Sequence, residues 1–368
     1  MARPNNSAEE SAIARSVLAN MSDDQVRAAK GFFDRLSEYK KYNKLHNTYI
    51  KGVRIALGNT GNGRVYCNYN ITGTVTGRIS NSGASIGRKK SDKLGVSFHT
   101  LPRESLDVNI RDYVVAPKGY DFLTVDYAGM ELRVLAHVAN EKNMIKAFES
   151  GIDLHSYSAG LTFNKDPSDV TKHERQIAKA VSFLTVYGGT GYTLASKHNM
   201  PEERANAIID SWMAAFPGVG RYMNTIDEYI KQFGYAKTIF GRFRHLPNYK
   251  SPFKNIRRES FRQGLNFTIQ SAASDILICG MLGVVEKLKG MKAKVVATVH
   301  DSIELIAPKC ETSEVARIVK EEMENAHYMQ DNFGINLRVP LSVDIEVGSS
   351  FGNGVAYGSG RVVSEVNA

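Results

Sequence analysis

One feature constrains the fold of this chain more than any other. Strand-like runs stand at both ends of a long stretch that reads as helix after helix. Residues 122–125 (FLTV) are apolar and β-prone, and so are 295–299 (VVATV) and 303–306 (IELI). This order argues for an α+β layout, a sheet platform with a helical insertion. The two later strands form a hairpin, and its turn carries His300 and Asp301. An unpaired carboxylate in an apolar setting is costly, so Asp301 is a candidate for a site.

Asp126 is a second such carboxylate. In GYDFLTVDYAGMELRVLAHVA (119–139) it closes the first strand, and a helix follows with Leu132, Leu135, Ala136 and Ala139 on its apolar side. A strand-to-helix junction can point a carboxylate into a cleft; an ordinary N-cap is the plainer reading. Two carboxylates coexist cheaply if a divalent cation sits between them. Magnesium suits such hard oxygen ligands, keeping waters and phosphates as its others, which is the layout of two-metal phosphoryl chemistry.

Two helical stripes add polar groups. In VTKHERQIAKAVSFLTVYGGTGY (170–192), Thr171 and Glu174 form a capping box that starts a helix, and Gly188, Gly189 and Gly191 stop it. Arg175, Lys179, Phe183 and Tyr187 recur every fourth residue along one side. Two cations followed by two aromatics fit a triphosphate followed by a sugar and base; an amphipathic helix with a solvated basic edge is the plainer alternative. Arg262, Asn266 and Gln270 also step by four. Such a stripe can read minor-groove edges or hold phosphates, or simply face solvent.

The chain has 368 residues, 42% of them hydrophobic, which is enough for about two domains or subdomains. Its net charge of +9 suggests an acidic partner, nucleic acid first. Three scattered cysteines fit a reducing compartment and argue against zinc. The N-terminus lacks the apolar core of a secretory signal, and no uninterrupted apolar run reaches the length of a membrane span. Residues 1–60 read as polar helix, GNTGNGRVYCNYN as a glycine turn entering a strand, and 79–97 as a basic loop with Arg88, Lys89, Lys90 and Lys93.

Together these segments resemble the family-A DNA polymerases. DYAGMELRVLAH is similar to their motif A, RQIAKAVSFLTVYG to motif B (R-x3-K-x3-F-x3-YG) and VHDSIEL to motif C. GRVYCNYNITGTVTGRIS, DLHSYSAG, GRFRHLP and NFTIQSAASDI match in order and spacing, so the resemblance covers roughly 32–352.

The resemblance implies a right-hand polymerase fold: an antiparallel-sheet palm (53–140 and 256–352), mainly helical fingers (141–255), a thumb remnant (1–52) and a C-terminal tail (353–368). It implies template-directed addition of dNTPs to a primer 3′-hydroxyl. Asp126 and Asp301 would bind two magnesium ions, or manganese in their place, with Lys179 among the catalytic groups. His155, Arg175 and Lys179 would contact the triphosphate. Phe183 would pack on the sugar and nascent pair, Tyr187 would lie beside the templating base, and Glu131 would exclude a ribose 2′-hydroxyl. Arg78, Arg262, Asn266, Gln270 and His300 would hold the primer-template.

The sequence departs from the family in three places. Ser302 stands where Glu usually follows the His-Asp pair; Glu304, two residues on and on the same strand face, is the candidate substitute. Leu184 replaces a usual Gly. Fewer than about 80 residues precede Arg78, too few for a thumb and an exonuclease domain. The expectation is palm and fingers without proofreading in a cytoplasmic (or, for a phage, host-cytoplasmic) enzyme, with a separate polypeptide supplying the missing parts and no membrane partner. A non-catalytic DNA-binding subunit, a single-subunit RNA polymerase and a magnesium-dependent phosphohydrolase are the alternatives.

Overall fold

The structure is a computed structural model that describes residues 22–102, 108–187 and 189–358. Its chain forms two compact units: Met1–Cys67 with Gly83–Ile110, and Asn68–Ser82 with Arg111–Ala368.

In the first unit, helix α1 (Asp23–Lys44) starts at a Ser22/Gln25 capping box. It continues through a π-helical stretch, Leu45–Ile50, into α2 (Lys51–Thr60), which ends on Gly61 at φ 65. The helical expectation thus holds from residue 23; residues 1–21 lie outside the described residues. Tyr49 Oη donates to Thr100 O at 2.5 Å, and Asn59 Nδ2 donates to Lys93 O at 2.8 Å.

Strand β1 (Cys67–Asn70) pairs with β2 (Ser80–Gly83), so the expected loop at 79–97 begins as a strand. The chain folds back further on: Ile86 N donates to Asp92 O, and Leu94 N donates to Ala84 O at 2.8 Å. Glycine here marks close backbone approach and not a loop. A Cβ on Gly95 would lie 1.7 Å from Tyr66 O, which no side chain could tolerate.

The second unit is built on a five-stranded sheet. β3 (Tyr120–Tyr127) leads into a helical array: α3 (Met130–Val138), α4 (Lys142–Glu149), α5 (Leu154–Phe163), α6 (Lys172–Tyr187), α7 (Gly191–His198), α8 (Glu202–Ala215) and α9 (Pro217–Phe233). A small hairpin follows, β4 (Tyr235–Lys237) and β5 (Phe243–His245), and then the long α10 (Lys254–Lys287). The chain returns through β6 (Lys294–Val299), β7 (Ser302–Pro308), α11 (Thr312–Asn325), α12 (His327–Phe333), β8 (Val343–Gly348) and β9 (Val355–Ala356). Sheet order is β6-β7-β3-β8-β9, with all neighbours antiparallel. The α+β layout holds; β4, β5, β8 and β9 are additions to it.

Leu123, Val125, Ile303, Leu305 and Val347 alternate along β3, β7 and β8 and are at most 1% exposed, so they form the apolar face of the sheet. Tyr127 Oη donates to Met323 O at 3.0 Å and ties β3 to α11. Gly280 of α10 passes so close that a Cβ there would meet Tyr127 Oη at 2.6 Å. By length and composition α10 could cross a membrane, but 78% of its apolar window is buried in protein, as in a core helix.

Candidate active site

β3 lies between β7 and β8, and the register decides which residues meet. Asp126 is opposite Ser302 on one side and Asp344 on the other. Directly opposite residues share a face. Thr124, Asp126, Ser302, Glu304 and Asp344 therefore line the face away from the apolar core. Val299 pairs with Ser302, leaving His300 and Asp301 as a two-residue turn beside Asp126. Tyr127 N donates to Asp301 O at 3.3 Å. The two carboxylates singled out from opposite ends of the helical stretch are thus brought together at the ends of two adjacent strands, β3 and β7. His300 makes the turn with φ 59, a left-handed conformation that costs energy in a non-glycine residue and clusters at functional sites. The N-cap reading of Asp126 does not hold: α3 begins at Met130 after Gly129, and Asp126 is a strand residue.

Glu131, on the first turn of α3, is the hub of the site. Only 6% exposed, it accepts from Arg78 Nη2 at 2.5 Å and Gln270 Nε2 at 3.3 Å, and from the Tyr187 hydroxyl. Arg78 Nη2 also lies 4.0 Å from Asp301. Three expected site residues, Arg78 from the segment after β1, Tyr187 of α6 and Gln270 of α10, meet at this one carboxylate of α3, with Asp301 alongside. Burial, with help from the Glu131 charge and against Arg78 and His300, raises the Asp301 carboxyl above its ordinary range. Burial and the bond to Glu131 likewise raise the Tyr187 phenol, so it is a neutral donor.

α6 starts with the expected capping box: Glu174 N donates to Thr171 Oγ1 at 3.2 Å, and Thr171 N donates to Glu174 Oε2 at 3.0 Å. Its stop is also in place, with Gly189 N donating to Leu184 O at 2.7 Å; Gly188 lies outside the described residues, and Gly191 opens α7. The Leu184 side chain lies over Gly189, where a Cβ would come within 2.3 Å of Leu184 Cγ.

Along the stripe, Phe183 and Tyr187 stack with ring centroids 6.3 Å apart and planes 14° apart. His155 of α5 lies beside Phe183, with centroids 6.1 Å apart. Burial lowers the His155 imidazole to about 4, against the pull of Asp153 and with Lys179 and Arg175 adding to it, so it is neutral at pH 7. Lys179 is exposed on the same stripe.

Arg175 is bonded twice to Asp153, at 2.8 and 3.0 Å, a partner the sequence reading missed. Arg262 is paired locally with Glu259, its Nε at 3.1 Å. Asn266 is half-buried between Arg262 and the buried Gln270 on α10, and its Oδ1 has no hydrogen-bond partner; the same is true of His155 Nδ1. Both atoms have capacity for a ligand.

The comparison with known proteins agrees with this geometry. The model of DNA polymerase family A matches residues 3–353. The chain belongs to this family. Among its relatives, "DNA polymerase I, thermostable" of Thermus thermophilus is 31% identical over 329 residues, 89% of this chain and 37% of the relative. DNA polymerase I of Geobacillus stearothermophilus is 34% identical over 325 residues, 86% of this chain and 34% of the relative. The chain thus spans about a third of the length of such relatives. A solved structure, the POL domain of Pol1 from M. smegmatis in complex with DNA primer-template and dNTP, superposes with a TM-score of 0.71 at 29% identity. It covers 81% of this chain and 50% of that one. Nothing in these relatives supports a second polypeptide.

Two questions raised by this family A chain's sequence are answered by its sheet. Glu304 is 1% exposed and accepts from Thr124 Oγ1 at 2.7 Å. Ser302 Oγ lies 2.7 Å from Glu304 Oε1 and 2.8 Å from Val299 O. A serine hydroxyl has one hydrogen for these two acceptors. Ser302 Oγ donates to Glu304 when that carboxyl is ionised; a proton on Glu304 would let it donate to Ser302 instead and leave the serine hydrogen for Val299 O. Burial accordingly pushes the Glu304 carboxyl up to about 7, with the Asp126 charge a lesser contribution; Thr124, Ser302 and Arg111 act against the rise. Glu304 is thus part of the sheet beneath the site, buried and bonded to its neighbours.

The second question is whether the residues suit a cation. Among the described residues no cluster of three or more His, Cys, Asp or Glu could enclose an ion. Two adjacent carboxylates, one of them raised by burial, suit instead a hard divalent cation that takes its remaining ligands from substrate and water.

Proposed function

We propose that this family A chain is a template-directed DNA polymerase that adds dNTPs to a primer 3′-hydroxyl. One observation carries the reading: Asp126 and Asp301 are set side by side by strand register, next to a carboxylate hub that gathers Arg78, Tyr187 and Gln270. The Pol1 relative, solved with primer-template and dNTP, supports the same choice of partners.

Asp126 and Asp301 would hold divalent cations, magnesium or manganese, whose charge lowers the pKa of the attacking hydroxyl and neutralises the triphosphate. Catalysis of this kind needs positioning and charge neutralisation more than a covalent intermediate. Lys179 and Arg175 would bind the β- and γ-phosphates as cations, and His155 as a neutral donor. For Arg175 this means sharing or leaving Asp153. Phe183 and Tyr187 present a stacked pair of rings to the sugar and nascent base pair. Glu131, fixed by its three partners, forms a wall where a ribose 2′-hydroxyl would fall. Arg78, Gln270, Asn266, Arg262 and His300 would hold the primer-template. The lowered pKa of His155 means that acid below about pH 4 would convert it to a cation.

Primer extension tests the reading. The purified chain, with magnesium, dNTPs and a labelled primer-template at low salt, should extend the primer. Asp301→Asn should reduce extension by at least about a hundredfold, the scale on which charge stabilisation of a transition state is lost. A folded parent protein that extends no primer, or an Asp301→Asn variant that extends as well as the parent, would overturn it.

A further inference from the structure

The C-terminal end of α3, the middle of α9, the residues that leave β4 and part of α10 enclose a cavity of about 360 Å³. It lies away from the Glu131 hub. α3 presents Glu131 to the hub and His137 to the cavity, about 240° apart around the helix. α10 presents Gln270 to the hub and Thr268 to the cavity, about 200° apart. The chemistry proposed for primer extension uses none of this space.

One buried group in the lining is left without a partner. Thr238 is 5% exposed, and its Oγ1 makes no hydrogen bond. Its backbone is satisfied: Thr238 N donates to Arg242 O at 2.8 Å, and Gly241 N donates to Thr238 O at 3.0 Å. A buried hydroxyl with no bond is costly, so the orphan marks a place for a ligand. His137 adds a donor. Its Nδ1 accepts from Arg338 N at 3.1 Å, and burial together with the Arg338 charge lowers its pKa, so the ring is neutral with its hydrogen on Nε2. Lys237 and Arg338, both exposed, bring two positive charges to the same cavity.

The rest of the lining is largely apolar and includes two rings, Tyr222 and Tyr229. Both rings are held in place. Tyr222 Oη donates to Thr268 Oγ1 at 2.7 Å, which donates in turn to Leu265 O at 2.8 Å. Tyr229 packs on Phe233 with centroids 4.6 Å apart, and edge-on to Tyr235 at 5.6 Å. An apolar hollow of this size with a few polar groups is the usual form of a small-molecule site. Rings fixed beforehand lose little freedom when a ligand arrives. Ring faces suit a planar heterocycle, a hydroxyl and an imidazole suit a sugar, and two cations suit a phosphate.

We infer that this cavity binds a nucleoside monophosphate, with its base against Tyr222 and Tyr229, a sugar hydroxyl on Thr238 and its phosphate at Lys237 and Arg338. The site is independent of the polymerase reading, and its test needs neither DNA nor metal. Calorimetric titration of the full chain with adenosine monophosphate in EDTA should show one site, with a Kd on the order of 0.1 mM. Adenosine lacks the anion and inorganic phosphate lacks the ring, so each should bind at least about tenfold more weakly. Lys237→Ala/Arg338→Ala should bind the nucleotide no more tightly than the parent binds adenosine. Thr238→Val should weaken the nucleotide about tenfold. It should also unfold no sooner than the parent, because its hydroxyl has no protein partner to lose.

No saturable binding of the nucleotide up to about 5 mM would overturn the inference. So would a Thr238→Val variant that is less stable than the parent and binds the nucleotide equally well, since the hydroxyl would then serve a buried water. Binding that survives both cavity variants but is lost in Lys179→Ala would place the nucleotide on the α6 stripe, and overturns it too. Should Thr238→Val not fold, Lys237→Ala/Arg338→Ala changes only exposed positions and decides alone.

Discussion

The two halves of the candidate site are built on different principles. The β3–β7 strand pair holds Asp126 and Asp301 by backbone register over a fully buried apolar face. The α6 stripe holds Arg175, Lys179, Phe183 and Tyr187 by helical period on a half-exposed surface. It is tied down by Asp153 at one end and Glu131 at the other. A strand paired on both sides fixes positions by many hydrogen bonds at once, and a one-residue slip would turn every side chain to the wrong face. A helix stripe fixes spacing along one element but depends on a few side-chain contacts for its placement. Tolerance to change should therefore differ sharply between the two.

The largest expected effect comes from the sheet's buried face. Leu305→Ala, at 0% exposure, should cost about 2–5 kcal/mol in a denaturant titration. Leu184→Ala on the half-buried side of α6 should cost less than half of that. Equal losses would break the comparison.

The next effect sharpens it through pH. The folded-state pKa of Glu304 is raised to about 7, above its ordinary carboxylate value. The folded form therefore binds the extra proton. Its contribution is fully present below about pH 4.5 and is lost as pH rises through about 7, by up to about 3 kcal/mol. Glu304→Gln keeps a donor for Ser302 and an acceptor for Thr124 but does not titrate. The stability difference between parent and variant should change across that window and level off above it. A flat difference from pH 4 to 8 would mean that Glu304 stays ionised beneath the site.

The smallest effect tests the helix side. Asp153 caps α5, accepting from Ser156 N at 2.8 Å, and also holds Arg175. Asp153→Asn retains the cap, since Asn caps as well as Asp. It removes the charge from a partly exposed ion pair worth under about 1 kcal/mol. Stability should stay within about 1 kcal/mol of the parent, while dNTP KM falls as Arg175 is freed. A KM that rises would show that Asp153 positions Arg175 for the triphosphate and does not compete for it.

Much of this was legible in the sequence because it is local. Apolar, β-prone runs marked the 294–306 hairpin, a fourfold step marked the two stripes, and the Thr171/Glu174 box marked the start of α6 within one residue. Short β4 and β5, three residues each, carry too little periodicity to be seen. The 79–97 segment looked like a loop because its glycines serve close backbone packing, which the sequence does not distinguish from a turn. Ser302 read as a missing carboxylate. Only the cross-strand partner Thr124 and the one-hydrogen hydroxyl of Ser302 show how Glu304 is held instead.

The sequence by itself determined which residues share a helix face or a strand face, because those periods are set by backbone geometry within one element. Only the tertiary structure decided that Asp126 lies beside Asp301, and that Glu131 gathers Arg78, Tyr187 and Gln270. It alone decided that Arg175 is held by Asp153. Each of these rests on register and packing between segments far apart in the chain, and no local period encodes which distant partner a side chain will meet.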